Sequence, residues 1–217
     1  MYEQSPFIPV DADYSPAADR NKEPIFERIS PWMNQVIAES GRDRLSLLEV
    51  ATGTGQHAAY FASRNPLLKI QPTDLQGERA RGVKAWARAF KVTDQVSPLK
   101  PLNVTEAEAW PKESFDIIYC ANMIHISPWS ATMALFRQAP LHLHPHGVLI
   151  TYGPYRFQAP LAPSNMSFDM SLKSRCSEWG IRSVDQLDQL ALSAKLTRVE
   201  TIACPANNHL LVFKRSC

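Results

Sequence analysis

The 217 residues predict an α/β fold: a Rossmann-like, mostly parallel central sheet with helices on both faces. Three observations carry this. The apolar run Leu47-Leu48-Glu49-Val50 reaches a turn holding Gly53 and Gly55 and passes straight into an Ala-rich helical pattern, the strand–turn–helix corner of a doubly wound sheet. Phe115-Asp116-Ile117-Ile118-Tyr119-Cys120-Ala121 is continuously apolar but for one residue, as in a strand buried on both faces. Strand-like and helix-like periods alternate over most of the chain, as βαβ units with right-handed crossovers require.

Residues 1–23 are polar and proline-containing and read as an irregular arm. A helix is expected from Pro24, a residue suited to a first turn, to about Glu39, with Ile25, Ile29, Met33, Val36 and Ile37 at helical spacing and Gly41 ending it. Strand 45–51, helix 55–64, strand 68–73 and helix 77–91 follow, the last carrying Val83, Trp86 and Phe90. A third strand is expected over 96–102, ending at Asn103-Val104. Then come strand 115–121, helix 129–140 and strand 147–152. The stretch 153–169 is long for a connection and reads as a lid-like insertion. Helical patterns near 168–178 and 184–194 precede two strand candidates, 197–203 and 209–214. One domain spanning 1–217 accommodates all of this.

Composition narrows the function classes. The net charge is +2 with Lys and Arg scattered, so no electrostatic footprint for nucleic acid is expected. Cys120, Cys176, Cys204 and Cys217 form no C-x-x-C pair, which gives neither a zinc site nor a disulfide framework. His142, His144 and His146 alternate before Gly147 without a partner Cys or carboxylate cluster, so no metal is expected there. No basic-then-apolar leader and no apolar run of membrane-spanning length is present; a cytoplasmic setting without membrane partners is the expectation, and the oligomeric state is open.

In such a sheet the ligand sits outside the carboxyl ends of the parallel strands. That places Glu49, Gly53 and Gly55 at the first strand and Asp74 at the second, where an acidic residue roughly 20 residues after the glycines suits ribose hydroxyls. Asn103, with flanking Val104, comes from the third strand; its amide suits an adenine edge or, equally, a loop cap. Asn122, Met123 and His125 come from the fourth and Tyr152-Gly153-Pro154-Tyr155 from the fifth. The pattern Glu49-x-Ala51-x-Gly53-x-Gly55 resembles the E/D-x-G-x-G-x-G motif of class I S-adenosylmethionine (SAM) methyltransferases, with Ala51 in the first glycine position. A carboxylate at Glu49 suits the cationic aminoacyl end of SAM better than the pyrophosphate of NAD, the alternative ligand.

Six segments together resemble the methyltransferase-like 26 family: Ser15 to Pro24, Glu49 to His57, Asn122-Met123-Ile124-His125-Ile126-Ser127-Pro128-Trp129, Tyr152-Gly153-Pro154-Tyr155, Ser164-Asn165-x-x-Phe168-Asp169 and Pro205-Ala206-Asn207-Asn208. The pattern departs at Asn103, where an Asp is expected. The resemblance implies a class I methyltransferase fold and SAM as cofactor, and leaves the substrate open. The expected cofactor set is Arg20, Asn21, Glu49, Ala51, Gly53, Gly55, Asp74, Leu75, Asn103, Val104 and Asn122. Arg20 and Asn21 are donors suited to a carboxylate, against the alternative of a solvated helix start. For a small-molecule acceptor, Tyr152, Tyr155, Asn165 and Phe168 are the expected contacts. Catalytic candidates are His125 as general base, His57 and Tyr14; each histidine has a structural alternative, a loop hydrogen bond for His125 and helix packing for His57. Methyl transfer is in-line displacement, served chiefly by alignment in a dry pocket. The competing class is a SAM-binding protein that runs cyclisation or elimination, or acts as a sensor or partner subunit.

Overall fold

The computed structural model describes residues 7–216; the first six residues of the expected arm and Cys217 lie outside the described residues. A seven-stranded sheet forms the centre. Its strands are β1 (Leu45–Val50), β2 (Leu68–Asp74), β3 (Lys100–Pro101), β4 (Phe115–Ala121), β5 (Leu143–Gly153), β8 (Leu196–Cys204) and β9 (Asn208–Arg215). The order is β3-β2-β1-β4-β5-β9-β8; β1 to β5 are parallel, and β9 runs antiparallel to both its neighbours. A separate two-stranded ribbon pairs β6 (Tyr155–Arg156) with β7 (Arg182–Ser183) in parallel.

Side-chain alternation splits the core into two layers. On one face α1 (Pro16–Ser40), α2 (Gln56–Arg64) and α3 (Ala80–Ala89) bury Ile29, Met33, Phe61 and Trp86 against Leu47, Tyr119 and Val212. On the other, α4 (Trp129–His142) and α6 (Val184–Ser193) bury Leu135, Phe136 and Leu187 against Leu48, Ile118 and Phe213. Glu49 therefore shares the face of Leu47 and looks toward α1 and α2.

Several boundaries differ from expectation, each for a local reason. The arm is helical from Pro16: Ser15 caps the helix by accepting from the Ala18 amide at 3.2 Å, and Pro16 occupies the first turn. Pro24 and Pro31 lie inside this helix. The third strand shrinks to Lys100–Pro101, with a lone bridge from Val96 to Ile70, because Pro98 and Pro101 lack the N–H a ladder needs. β5 begins at Leu143, so His144 and His146 belong to a strand. The insertion is anchored at both ends: β6 pairs with β7, and α5 (Pro163–Arg175) starts five residues earlier than its apolar pattern suggested.

Candidate functional site

Strand order reverses between β1 and β4, and a cleft of about 590 Å³ opens at their carboxyl ends. Ala51, Gly53, Asp74, Leu75, Asn103 and Val104 line it, six of the residues selected from sequence. The opposite wall comes from Met123, Ile126, Ser127 and Pro128, just past β4. Sequence reasoning singled out Asn122, Met123 and His125 in that segment and missed Ile126, Ser127 and Pro128, whose only signal was their place in the same motif.

The floor of the cleft is a strained turn. Ala51, Gly53 and Gly55 all have positive φ, at 58°, 58° and 79°. Nothing lies within 4 Å of the place a Cβ on Gly53 would occupy, so its missing side chain leaves open space in the cleft. Gly55 is a glycine for another reason: a Cβ there would sit 2.8 Å from Val83 Cα, so it serves the packing of α3 and does not line the cleft. Asp74 braces the turn, Oδ2 accepting from the Gly53 amide at 2.9 Å and Oδ1 from the Gln76 amide at 3.1 Å.

Glu49 is buried beneath this turn and accepts from the Thr52 hydroxyl. Burial pushes its carboxyl up to about 8; Thr52 opposes that shift and the nearby Asp74 charge adds to it. The Asn103 amide is engaged within its own loop, donating to Glu106 Oε1 at 2.8 Å and accepting from the Thr105 amide and hydroxyl. It lines the cleft as a loop cap, so the adenine-reading geometry expected of it is absent from this arrangement. Asn122 adopts a left-handed conformation, φ 64°, and its backbone N–H donates to the Tyr152 carbonyl at 2.8 Å, joining the ends of β4 and β5.

The catalytic candidates separate. His125 is 4% exposed, sits edge-on to Phe168 at 5.6 Å, and has no hydrogen-bond partner for its buried Nδ1. Burial, helped by the Arg182 charge, lowers its pKa to about 4. His57 is also buried, stacked on Phe61 and bridged between Asn21 Oδ1 at 2.7 Å and the Tyr119 hydroxyl at 3.2 Å. Burial holds it at about 4 too, with the Ala18 carbonyl opposing and Lys22 reinforcing. This closed environment corrects the reading of His57 as a catalytic group at the mouth. Tyr14 packs against the α1–α2 core layer, its phenol pushed up by burial and by Asp19. Arg20 is exposed, and Asn21 is turned inward to His57.

The expected acceptor contacts fall on two sides of the sheet end. Tyr152 belongs to the α1 layer and Tyr155 to the α4 layer, where its hydroxyl donates to Thr151 Oγ1 at 2.9 Å. Asn165 donates to the Asn207 carbonyl at 3.1 Å and Phe168 meets His125, so α5 is docked onto the β8–β9 turn and the segment after β4. Among the described residues, no group of three or more His, Cys, Asp or Glu is placed to hold a metal, and no helix is long and apolar enough to cross a membrane.

Solved structures share this architecture. The mitomycin 7-O-methyltransferase matches at 15% identity and a TM-score of 0.71, covering 80% of this chain and 49% of its own. An O-methyltransferase family 2 protein from Planctomyces limnophilus, in complex with apigenin, matches at 21% identity and 0.69, covering 79% and 51%. An O-methyltransferase from neocarzinostatin biosynthesis, in complex with SAM and 2-hydroxy-5-methyl naphthoic acid, matches at 14% and 0.64, covering 78% and 48%. The fold is thus the Rossmann-like methyltransferase fold, and the chain spans about half the length of these proteins. The family description "Protein of unknown function (DUF938)" matches residues 12–215, and the chain belongs to that family.

Proposed function

We propose that the protein is a SAM-dependent methyltransferase acting on a hydroxyl of a small molecule, within the family its six motifs resemble. One observation carries the cofactor part: the Asp74 carboxylate, held by the Gly53 amide, faces a cleft of about 590 Å³ at the point where strand order reverses. The residues present fit the cofactor. Asp74 supplies acceptors for ribose hydroxyls, Leu75 and Val104 offer apolar surface to a base, and the open space over Gly53 lets a ligand reach the main chain. Glu49, a buried carboxyl without a cationic partner, is the chemistry a positively charged ligand relieves. One solved structure of this fold carries SAM with 2-hydroxy-5-methyl naphthoic acid and another carries apigenin, which supports a small-molecule acceptor.

Bound SAM would supply an activated methyl on a sulfonium, so the chain's own part is alignment and exclusion of water. Asn122 ties β4 to β5 beside the mouth, and α5 with the 153–169 insertion closes the α4 side. His125 is the candidate base, taking the hydroxyl proton as the acceptor oxygen gains the methyl. One observation favours a second reading, SAM binding without methyl transfer: burial holds both His57 and His125 at about 4, low for proton acceptors at neutral pH.

Incubation with SAM and a metabolite extract, read by mass spectrometry, separates the two. A product heavier by one methylene with S-adenosylhomocysteine (SAH) released is the expected result; SAM consumed by another route, or not at all, selects the second reading. Asp74→Ala should weaken SAM binding by about 2–4 kcal/mol, since it removes two hydrogen bonds to a charged acceptor. Equal affinity for NAD by calorimetry would refute the cofactor assignment.

A further inference from the structure

The cleft wall formed by Met123, Ile126, Ser127 and Pro128 is too short a segment to hold its own shape. It begins as a single 3₁₀ turn, Met123–His125, and a lone turn leaves most of its carbonyls without donors. Within the segment the Met123 carbonyl is served twice, by the Ile126 N–H at 3.0 Å and the Ser127 hydroxyl at 2.8 Å. The carbonyls of Ile124, His125 and Ser127 are served from a distant part of the chain. Arg182 Nε donates to the Ile124 carbonyl at 3.3 Å and one Nη of Arg182 to the Ser127 carbonyl at 2.8 Å. The Gly180 N–H donates to the His125 carbonyl at 3.0 Å. The guanidinium also lies over the Trp129 ring, 5.6 Å from its centroid, so one side chain grips the wall at 124, 127 and 129.

The donors are themselves held from the side of α5. Asp169 Oδ1 accepts from the Ile181 N–H at 2.7 Å, and its other oxygen pairs with Lys173 at 2.6 Å and Arg156 at 3.6 Å. Arg182 stands opposite Arg156's neighbour Tyr155 in the β6–β7 ribbon, and the Nη that reaches Ser127 also donates to the Glu178 carbonyl at 2.6 Å. Gly180 permits this approach: its φ is 151°, and a Cβ there would come within 3.0 Å of Asp169 Oδ1. Neither Gly180 nor Arg182 lines the cleft, yet the carbonyls they hold lie within the segment that does. Only a guanidinium suits the task. Its planar fork spans two carbonyls while its face covers an aromatic ring, whereas an ammonium is a point charge.

We propose that Arg182 is a positioning residue for the cleft: with Gly180 it fixes the Met123–Pro128 wall at the distance from Leu75 and Val104 that lets a base fit between them. The identity of that base, as the adenine of SAM, rests on the methyltransferase reading; the clamp itself stands on its three carbonyl contacts. Arg182 touches no ligand and takes no part in the chemistry. Because Asp169 holds the same segment, the docking of α5 and the width of the cleft are coupled.

The test is SAH affinity, measured by calorimetry on the whole protein well below its melting temperature. Arg182→Ala should weaken SAH binding about ten-fold or more, the effect of losing at least one charged hydrogen bond. Dilute guanidinium chloride should restore part of that affinity, and ammonium chloride at the same concentration should not. Guanidinium weakens folded states in general, so rescue by it separates positioning from stability. Arg182→Lys, which keeps the charge but serves one carbonyl, should fall between the two. Native affinity in Arg182→Ala, equal rescue by both salts, or a lysine as good as the arginine would each overturn the proposal. If Arg182→Ala does not fold, Arg182→Lys and a measurement on the native protein carry the test. There, bound SAH should slow hydrogen exchange at the Gly180 amide, outside the cleft, because coupling is reciprocal; an unchanged rate would overturn the proposal. If SAH does not bind the native protein, the methyltransferase reading falls and the wall is read without ligand. The Ile126 amide should then exchange faster in Arg182→Lys than in the native protein, and equal rates would overturn the positioning role.

Discussion

His57 Nε2 lies 2.7 Å from Asn21 Oδ1, and that contact gives the imidazole a fixed sense. An amide oxygen only accepts, and the Ala18 carbonyl beside the ring makes the same demand, so the proton is assigned to Nε2. Nδ1 is then bare and accepts from the Tyr119 hydroxyl. With its oxygen engaged, Asn21 turns its NH₂ toward Tyr152, whose phenol is pushed up by burial and pulled back by that amide. His57 thus sets the direction of the hydrogen bonds that run from Tyr119 through Asn21 to Tyr152. It positions Asn21; it does not move protons.

Removing the ring should therefore cost stability. His57→Leu leaves the Tyr119 hydroxyl and the Asn21 amide buried without partners, a loss of about 2–3 kcal/mol. In a chain of this size that lowers the melting temperature by roughly 4–10 °C. His57→Gln, which keeps a donor and an acceptor, should recover part of the loss. Calorimetric melting that leaves His57→Leu unchanged would show the bridge to be energetically idle.

Acid and base act on opposite groups. His57 and His125 bind protons less readily folded than unfolded, so their contribution is full above about 6.5 and is lost as pH falls toward 4. Glu49 is the reverse: its raised pKa contributes stability that is full below its ordinary value of 4.5 and lost as pH rises through about 8. Between about 4.5 and 6.5 the two histidines outweigh one carboxyl and stability rises by about 1.4 kcal/mol per pH unit; above 6.5 Glu49 alone lowers it at a similar rate. Urea midpoints without ligand should peak near pH 6.5. The alkaline decline should vanish in Glu49→Gln, and a midpoint still climbing from 6.5 to 8 would contradict the assignment.

Cofactor binding should release a proton. At pH 7 a carboxyl with a pKa of about 8 is mostly protonated, and a cation placed against it would drive ionisation. Calorimetry of SAM binding in buffers of different ionisation enthalpy should report release of up to about 0.9 proton. Glu49→Gln should release none. Buffer-independent heats in the native protein would place the cationic end of the ligand elsewhere.

Two small residues in the turn should respond in opposite ways. Ala51 holds φ at 58°, a conformation that costs a residue with a Cβ about 1–2 kcal/mol. Ala51→Gly removes that strain and loosens the unfolded chain, for a net gain of up to about 1 kcal/mol. Gly55→Ala meets both an unfavourable φ and Val83, and should cost about 3 kcal/mol. Denaturant midpoints of the two variants should fall on either side of the native value; a destabilised Ala51→Gly would mean that the Ala51 methyl contributes packing worth more than the strain.

What sequence made legible follows the range of the interactions. The bond between Asp74 and Gly53 was anticipated as proximity because both lie at ends of adjacent parallel strands, where spacing fixes geometry. The start of the first helix was misplaced because Pro24 and Pro16 are equally suited to a first turn, and the cap at Ser15 decides between them. The third strand was overextended because an apolar period does not record the two missing prolyl N–H groups. His57 looked like a mouth residue because its partners, Asn21 and Tyr119, are 36 and 62 residues away and only packing brings them together.

The placement of β9 between β5 and β8 also sets the order in which the sheet can be completed. Residues 208–215 follow the other strands of the sheet in the chain, yet they occupy an interior position in it. Until they are in place, β5 presents an apolar edge with unpaired backbone groups, and β8 lacks its sheet neighbour. The sheet therefore closes only once β9 has paired with both neighbours, a non-local step that leaves apolar edges open to aggregation longer than closure by an edge strand would.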